Sequence, residues 1–529
     1  MEKIKVDNAI ILAAGMSSRF APLSFERPKG LAVANGERLI ERQIRQLKEA
    51  NINEVIVVVG NMHEKFEYLT EKYDFVKLVY NKDYKKKNTH SSLYAARSYL
   101  KNTYILCADN YYPDGEFQTY EEHAYTTTQF IDDYAEGERG VIVDHNGLII
   151  DTQRPADHKW CMLGYQFFDT DFSNKFKIIL EEFYGKPNTD DYYWERVYSE
   201  HVDELHLYEK RVPSNYILEF DTVDELKEYY SDYLVKGDYN FAKNICKVLN
   251  CNVKDIDNLE VVQKGLTNNS FSFTVNGNKY IYRIPGYGIP IDINRKLESS
   301  IENFVSSINI DDSFIYEDPI EGWKISKFIE SNIPFNFKNE RHLNILSKHL
   351  RKLNENKYCC GVKFDYIEKS QHILENIKNI DNDLYLKYNS LFNEIICISK
   401  EIENDNWGTQ LSHNDIWEDN LLLDENEKLY LIDWEYAGDT DIGYDLSKLC
   451  TRSECDISEI ESKLIYYFDR KPTENEVFHI IKCVVVSYFY WTVWAEDMIL
   501  KGHKYNYYLN RYKNIFDTYY EEYLVRSEL

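Results

Sequence analysis

Basic residues are in short supply: 62 Lys and Arg stand against 89 Asp and Glu, a net charge of −27. That deficit argues against non-specific nucleic-acid binding, which depends on Lys and Arg neutralising phosphates. Paired cysteines are missing as well. The 10 Cys include the adjacent Cys359-Cys360 but no CxxC spacing, so neither a zinc site nor a disulfide framework is expected, and reduced thiols in the cytoplasm fit best. Long apolar runs are absent too. Phe478–Leu500 comes nearest, but Lys482, Glu496 and Asp497 interrupt it, which predicts a buried helix and no membrane insertion. The early run Ala9–Ala14 is too short for a signal peptide. There is no Pro-rich or Gly/Ser-rich linker, internal repeat or low-complexity segment. At 529 residues the chain needs more than one core, so domains of residues 1–235 and 236–529 are expected, joined by a packed connection. The 45 Tyr are read as compositional bias. The oligomeric state is not encoded in any of this.

The first half alternates strand and helix. Ala9–Gly15 is an apolar run ending in Gly, Leu39–Leu47 has helical spacing, and Glu54–Val59 is a second apolar run ending at Gly60. This pattern predicts an α/β doubly wound sheet with its ligand at the strand C-termini. The loop after the first strand offers backbone N–H groups to phosphates, and Arg19 and Lys29 add positive charge. Asp109 ends the apolar strand Tyr104–Ala108, while Glu219 and Asp221 alternate with Leu218 and Phe220 and so share a face. Carboxylates gathered from distant segments suit Mg²⁺ on a nucleoside triphosphate. Such a site favours attack on the α-phosphorus by a substrate phosphate, with pyrophosphate leaving.

The second half carries the stretch HNDIWEDNLLLDENEKLYLIDWEY from His413 to Tyr436. Asp415 precedes Asn420 by five residues, a hairpin follows, and Asp433 ends its second strand. Phosphoryl transfer from ATP needs a carboxylate to orient or deprotonate an acceptor hydroxyl, and oxygen ligands for Mg²⁺. Asp415 suits the first task and Asn420 with Asp433 the second. Upstream, a hairpin with Thr267, Asn268, Asn269 and Ser270 at its tip is expected to cover the ATP phosphates. Arg283 on the following strand stands where resemblance to the wider kinase family implies a cation that meets those phosphates, and Glu298 on the next helical stretch is expected to orient it. Trp491 and Trp494, three apart, share a helix face.

These motifs resemble two families. LAAGMSSRF…RPKG is similar to the signature of sugar-phosphate and choline-phosphate nucleotidyltransferases, with Ser17 standing where that family usually has Gly. NKDYKKKNTHSSLYAAR, TYILCADNYY and LEFDTVDEL extend the likeness over residues 5–230. The resemblance implies CTP binding by Leu12, Ala13, Ala14, Gly15, Ser17, Ser18 and Ser92, and a head-group site at Trp160, Asp191 and Tyr192. The kinase stretch resembles the choline/ethanolamine kinase and aminoglycoside phosphotransferase superfamily, implying a protein-kinase-like domain. There the pair Trp491 and Trp494, with Tyr436, would form an aromatic box for a quaternary ammonium, with Glu435 or Asp441 adding charge. Together they imply a Mg²⁺-dependent enzyme using ATP and CTP on choline and phosphocholine. Alternatives are ethanolamine or 2-aminoethylphosphonate as head group, a sugar-phosphate nucleotidyltransferase fused to a small-molecule kinase, and one domain acting as an inactive sensor.

Overall fold

A computed structural model describes residues 3–132, 137–264, 268–286, 294–331 and 333–528. The chain forms two compact units, residues 1–263 with 273–277, and residues 264–272 with 278–529.

The first unit is built on β1 (Asn8–Ala13), α1 (Leu39–Glu49), β2 (Val55–Val59), β3 (Val76–Tyr80), α2 (Thr89–Ala96) and β4 (Thr103–Cys107). The strands lie in the order β4-β1-β2-β3 and are parallel. β1, β2 and β4 are buried on both faces, as a continuous apolar run requires, whereas β3 at the sheet edge exposes Lys77 and Tyr80. Ile11, Val57 and Leu106 pack with Ile40, Ile44 and Leu47 of α1. Ile10, Ile56 and Ile105 face the opposite layer with Leu93 and Ala96 of α2. Because the chain runs from β1 outward to β3 and returns to β4 on the other side, a switch point opens between β1 and β4. Short β5 (Asn110–Tyr111) then pairs antiparallel with β6 (Leu218–Glu219).

The compact unit runs past 235 because Glu26 and Arg27 hold the next segment. Glu26 accepts from the backbone N–H groups of Asn240 at 2.9 Å and Phe241 at 3.1 Å, where α3 (Asn240–Leu249) begins. A carboxylate there satisfies helix N–H groups that have no intrahelical partner. Arg27 donates to the carbonyls of Gly237 and Asp238, both at 2.8 Å, and lies over the Tyr239 ring.

The second unit starts with strands of a five-stranded sheet: β7 (Asn268–Val275, whose residues from 273 on fall in the first unit), β8 (Asn278–Pro285), β9 (Phe314–Glu317) and β10 (Lys324–Lys327), in the order β7-β8-β10-β9, with α4 (Arg295–Ser307) between β8 and β9. A helical part follows, containing α5 (Tyr366–Ile380) and α6 (Asn382–Asn404). Two small ladders then interleave. β11 (Thr409–Ser412) pairs with β14 (Gly438–Asp441), and β12 (Leu421–Leu423) with β13 (Leu429–Leu431). The chain ends in α7 (Gly443–Thr451), α8 (Glu474–Leu500) and α9 (Asn506–Ser527). Among the described residues α8 alone is long and apolar enough to cross a membrane, and its apolar window is buried inside the protein. This is the protein-kinase-like architecture expected of the second half, following a Rossmann-like first half.

Candidate active sites

At the β1/β4 switch point of the first unit lies a cavity of about 460 Å³. Its lining includes Ala14, Gly15, Ser17, Ser18 and Arg19 from the loop after β1, with Lys29, Asp109 and Asp221. Ser17 adopts φ +52°, a left-handed conformation that glycine takes at no steric cost, which accounts for Gly at this place in the resembling family. Gly30 explains how Lys29 arrives. A Cβ at 30 would stand 2.8 Å from the Ala108 Cβ, so only glycine lets this turn press against the residue before Asp109. The Lys29 ammonium then lies 2.8 Å from Asp109 and 2.6 Å from Asp221, while exposed Arg19 reaches Asp221 at 2.8 Å. Burial alone would lower the Lys29 pKa, but the two aspartates outweigh it and raise it.

The β5–β6 pairing brings Glu219 and Asp221 to Asp109, and one oxygen of each lies within 4.8 Å of the others. Burial, then the negative charges of Asp109 and Asp221, push Glu219 up to about 8. Its side chain still reaches solvent, so the crowding of like charges is the firmer cause. Asp109 Oδ1 is buried with no hydrogen-bond partner among the described residues. An orphaned carboxylate oxygen beside two further carboxylates is a donor set that fits Mg²⁺.

In the second unit the stretch from His413 folds back on itself. Buried Asp445 accepts from the backbone N–H groups of His413 and Asn414 at 2.7 and 2.8 Å, and His413 Nε2 lies 2.9 Å from the Ile432 carbonyl. These bonds fix the backbone around Asp415. The Asn420 amide donates to the Asp415 carbonyl at 2.9 Å and to its carboxylate at 3.3 Å. That leaves the Asn420 side-chain oxygen, with Asp433, as hard donors that fit Mg²⁺. Burial raises the Asp415 pKa, with the charge of Asp433 adding to it against His413.

Arg283 is buried on β8 and held by three carboxylates: Glu298 at 2.5 Å, Glu317 at 2.9 Å and Asp433 at 2.9 Å. Burial opposes ionisation of Glu298, yet Arg283, Lys324 and Arg295 hold it near 2. Burial and the neighbouring Glu298 push Glu317 up to about 9. The guanidinium therefore favours the charged form of both carboxyls, while their closeness to each other opposes it.

On α8, Trp491 contacts Tyr436 edge-on with centroids 5.8 Å apart, and Trp494 at the same separation. Tyr490 and Tyr512 join this cluster. After burial as the main cause, the Asp415 charge raises the pKa values of Tyr490 and Tyr512, and that of Tyr436 behind Glu435 and Tyr490.

Comparison with known proteins agrees with this geometry. A choline-phosphate cytidylyltransferase of Streptococcus pneumoniae is 32% identical over 223 residues, 42% of this chain and 95% of that protein. The chain belongs to the choline-phosphate cytidylyltransferase family. A 2-aminoethylphosphonate cytidylyltransferase of Lancefieldella rimae is also 32% identical, over 43% of this chain and 93% of that one. The family model for a MobA-like NTP transferase domain matches residues 9–119, and that for choline/ethanolamine kinase matches residues 259–475. The crystal structure of the choline kinase LicA from Streptococcus pneumoniae is 22% identical and covers 53% of this chain and 98% of that one, with a TM-score of 0.45. This family member is thus an enzyme with a cytidylyltransferase domain and a kinase domain.

Not every anticipated residue joins its site. Asp191 and Ser92 line the first cavity, as does Tyr193, whereas Trp160 and Tyr192 are not among its lining residues. The Trp160 face carries Arg211 at 4.7 Å, and the Tyr192 face carries Arg196 at 3.5 Å. Leu12 is buried in the core, and Ala13 packs against the opposite core; neither lines the cavity. In the kinase unit Glu435 accepts from Asn268 at 2.9 Å and lies 3.7 Å from Arg295, while its charge still acts on Tyr436. Asn268, Asn269 and Ser270 open strand β7, and Thr267 lies outside the described residues. Two groups escaped sequence reasoning. Lys85, Lys86 and Lys87 line the first cavity, and their run of three was the available signal. Tyr512 reaches the aromatic cluster from α9, which no local pattern announces.

Proposed function

We propose that the kinase half phosphorylates choline with ATP and that the other half transfers CMP from CTP to phosphocholine, giving CDP-choline and pyrophosphate. The observation that carries this reading is the Tyr436–Trp491–Trp494 cluster beside Asp415. A quaternary ammonium cannot donate hydrogen bonds and is recognised by aromatic faces, and Asp415 is then at hand for the hydroxyl of the same small molecule. Asp415 orients that hydroxyl and takes its proton. Burial raises its pKa, which brings base and alcohol closer in basicity. Asn420 and Asp433 would hold Mg²⁺, which neutralises the phosphates when bound. Arg283, anchored by Glu298 and Glu317, faces the same charge.

In the first half the nucleophile is already an anion, because a phosphate monoester loses its second proton near pH 6. No general base is then required, and the work falls to placement and charge. Backbone N–H groups of Gly15 to Ser18 with Arg19 and Lys29 receive the triphosphate. Asp109, Glu219 and Asp221 would hold its Mg²⁺. We assign cytidylyl transfer to residues 1–235 and choline phosphorylation to residues 236–529, in the cytoplasm, where both nucleotides are found.

A second reading replaces the head group. The resemblance to a 2-aminoethylphosphonate cytidylyltransferase and the arginines on Trp160 and Tyr192 favour it for the first half alone. A phosphonate has a carbon–phosphorus bond, however, which no alcohol kinase makes, so the paired domains favour a phosphate ester. Product masses from ATP, CTP and a panel of choline, ethanolamine and 2-aminoethylphosphonate test the choice. Formation of CDP-choline from choline supports the proposal, and its absence with a different activated product overturns it.

A further inference from the structure

Outside both sites, three donor atoms converge in the second unit. Asp441, His479 and Cys483 each offer one atom, all within 4.8 Å of one another. His479 and Cys483 lie one turn apart on α8, and Asp441 ends β14 across from them. His479 and Cys483 are fully buried. Neither the proposed kinase chemistry nor the aromatic cluster uses any of the three.

Two observations make this more than a chance cluster. The first is Gly443. A Cβ at that position would meet Cys483 Sγ at 2.7 Å, His479 Nε2 at 2.9 Å and Asp441 Oδ1 at 3.0 Å. Its φ is not positive, so conformation does not demand glycine here; space does. All three donors thus gather over the Gly443 backbone, whose N–H also donates to Asp441 Oδ1 at 2.8 Å, and any side chain there would displace them. The second is the far side of the imidazole. His479 Nδ1 lies 2.7 Å from Asp405 Oδ2, which Lys482 also contacts at 2.6 Å, and Trp407 stacks on the ring at 4.0 Å. A carboxylate behind a histidine sets its tautomer and orientation, the usual support of a metal-bound imidazole. Nε2 then faces Asp441 Oδ1 at 2.9 Å. Two acceptors at that distance repel unless a cation, proton or metal, lies with them.

We propose that Asp441, His479 and Cys483 bind one borderline-soft divalent ion of the zinc class. Thiolate and imidazole select such an ion over Mg²⁺. Three protein ligands leave a fourth position, and Asp441 also lines a separate cavity of about 340 Å³ from which water can supply it. The absence of paired cysteine spacing does not count against the site, because its ligands come from two elements and only one is a cysteine. The ion would tie the end of β14, ahead of the Asp445 that supports the catalytic loop, to the helix carrying Trp491.

The test uses the full chain, stripped with chelator and titrated with Co²⁺ in excess Mg²⁺. We expect one Co²⁺ per chain with a thiolate-to-cobalt charge-transfer band in the near ultraviolet. Cys483→Ser should abolish the band. Gly443→Ala should abolish binding by pushing the three donors apart. Asp405→Asn should keep the band but weaken binding about 10- to 100-fold. Should a buried variant fail to fold, Asp405→Asn, at a partly exposed position, still gives a reading. No Co²⁺ uptake by the wild type, or a band of full intensity in Cys483→Ser or Gly443→Ala, overturns the proposal and leaves a protonated His479 bridging two aspartates.

Discussion

Each half sets a buried cation among carboxylates, but on different terms. Lys29 is held by Asp109 and Asp221, whose side chains are 27% and 28% exposed and which belong to the proposed metal site. Arg283 is held by Glu298 and Glu317, at 1% and 0%, with Asp433 as a third contact. Lys29 therefore leans on groups that must change partner when a metal-bound nucleotide arrives. Arg283 keeps two anchors whatever Asp433 does. The first site is arranged to be rearranged, the second to stay put. Arg suits the fixed role because its planar fork serves several carboxylates at once, whereas Lys is a movable point charge.

The largest effect tests whether the two sites are independent. Asp415→Ala should cut ADP formation from choline and ATP by about 10²- to 10⁴-fold while pyrophosphate release from CTP and phosphocholine is untouched. Asp221→Ala should do the reverse. Loss of both activities in a folded variant would dissolve the comparison.

Next come the cations themselves. Arg283→Met leaves buried carboxylates uncompensated and should cost about 3–5 kcal/mol of stability in urea unfolding. Lys29→Met should barely move that transition, since water reaches its partners. Its cost should appear instead in kcat for pyrophosphate release, by about 10²- to 10³-fold, because charge builds on the leaving group in the transition state. Arg19→Lys should retain only part of the activity, since a point charge cannot replace paired N–H contacts. Equal destabilisation by the Arg283 and Lys29 changes would erase the distinction drawn here.

Smaller effects sharpen it. Trp491→Ala and Trp494→Ala should raise the choline KM severalfold to about thirtyfold, the range of a desolvated cation–π contact, with less change for ethanolamine and for ATP. Trp491, in contact with Tyr436, should show the greater loss; equal losses for both amino-alcohols would indicate packing alone. Smallest is a pH effect at the first site. Glu219, pushed up to about 8, is largely protonated at pH 7 and must lose its proton to bind metal. Mg²⁺ affinity should fall as pH drops below about 8 and level off above it. Calorimetry in buffers of different ionisation enthalpy should detect one proton released per ion at pH 7; no release would remove Glu219 from the site.

Legibility in the sequence followed distance along the chain. Asp415, Asn420 and Asp433 were readable because one loop and one hairpin place them, and Asp445 ties that loop from only 32 residues away. Lys29, Asp109 and Asp221 are far apart, yet each stands at the end of an apolar strand or in a recognisable turn, so the switch point of the sheet gathers them. Trp160, Tyr192 and Glu435 have surroundings the sequence does not announce, for one reason. What an aromatic face or a carboxylate meets depends on arginines elsewhere: Arg211, Arg196 and Arg295. No periodicity reports on those. Gly443 carried no signal either, since the need for its missing side chain exists only after α8 has packed.

The grip of Glu26 and Arg27 on residues 237–241 has a practical side. Both lie in the segment between Arg19 and Lys29, so the far end of the phosphate-binding loop is moored to the backbone where α3 begins. Cutting the chain at 235, where the sequence suggests a border, would cast off that mooring while leaving every proposed catalytic side chain present. A fragment meant to preserve cytidylyl transfer should therefore extend through α3 to residue 263, and the 28 residues gained would act as a stay for a loop they never enter.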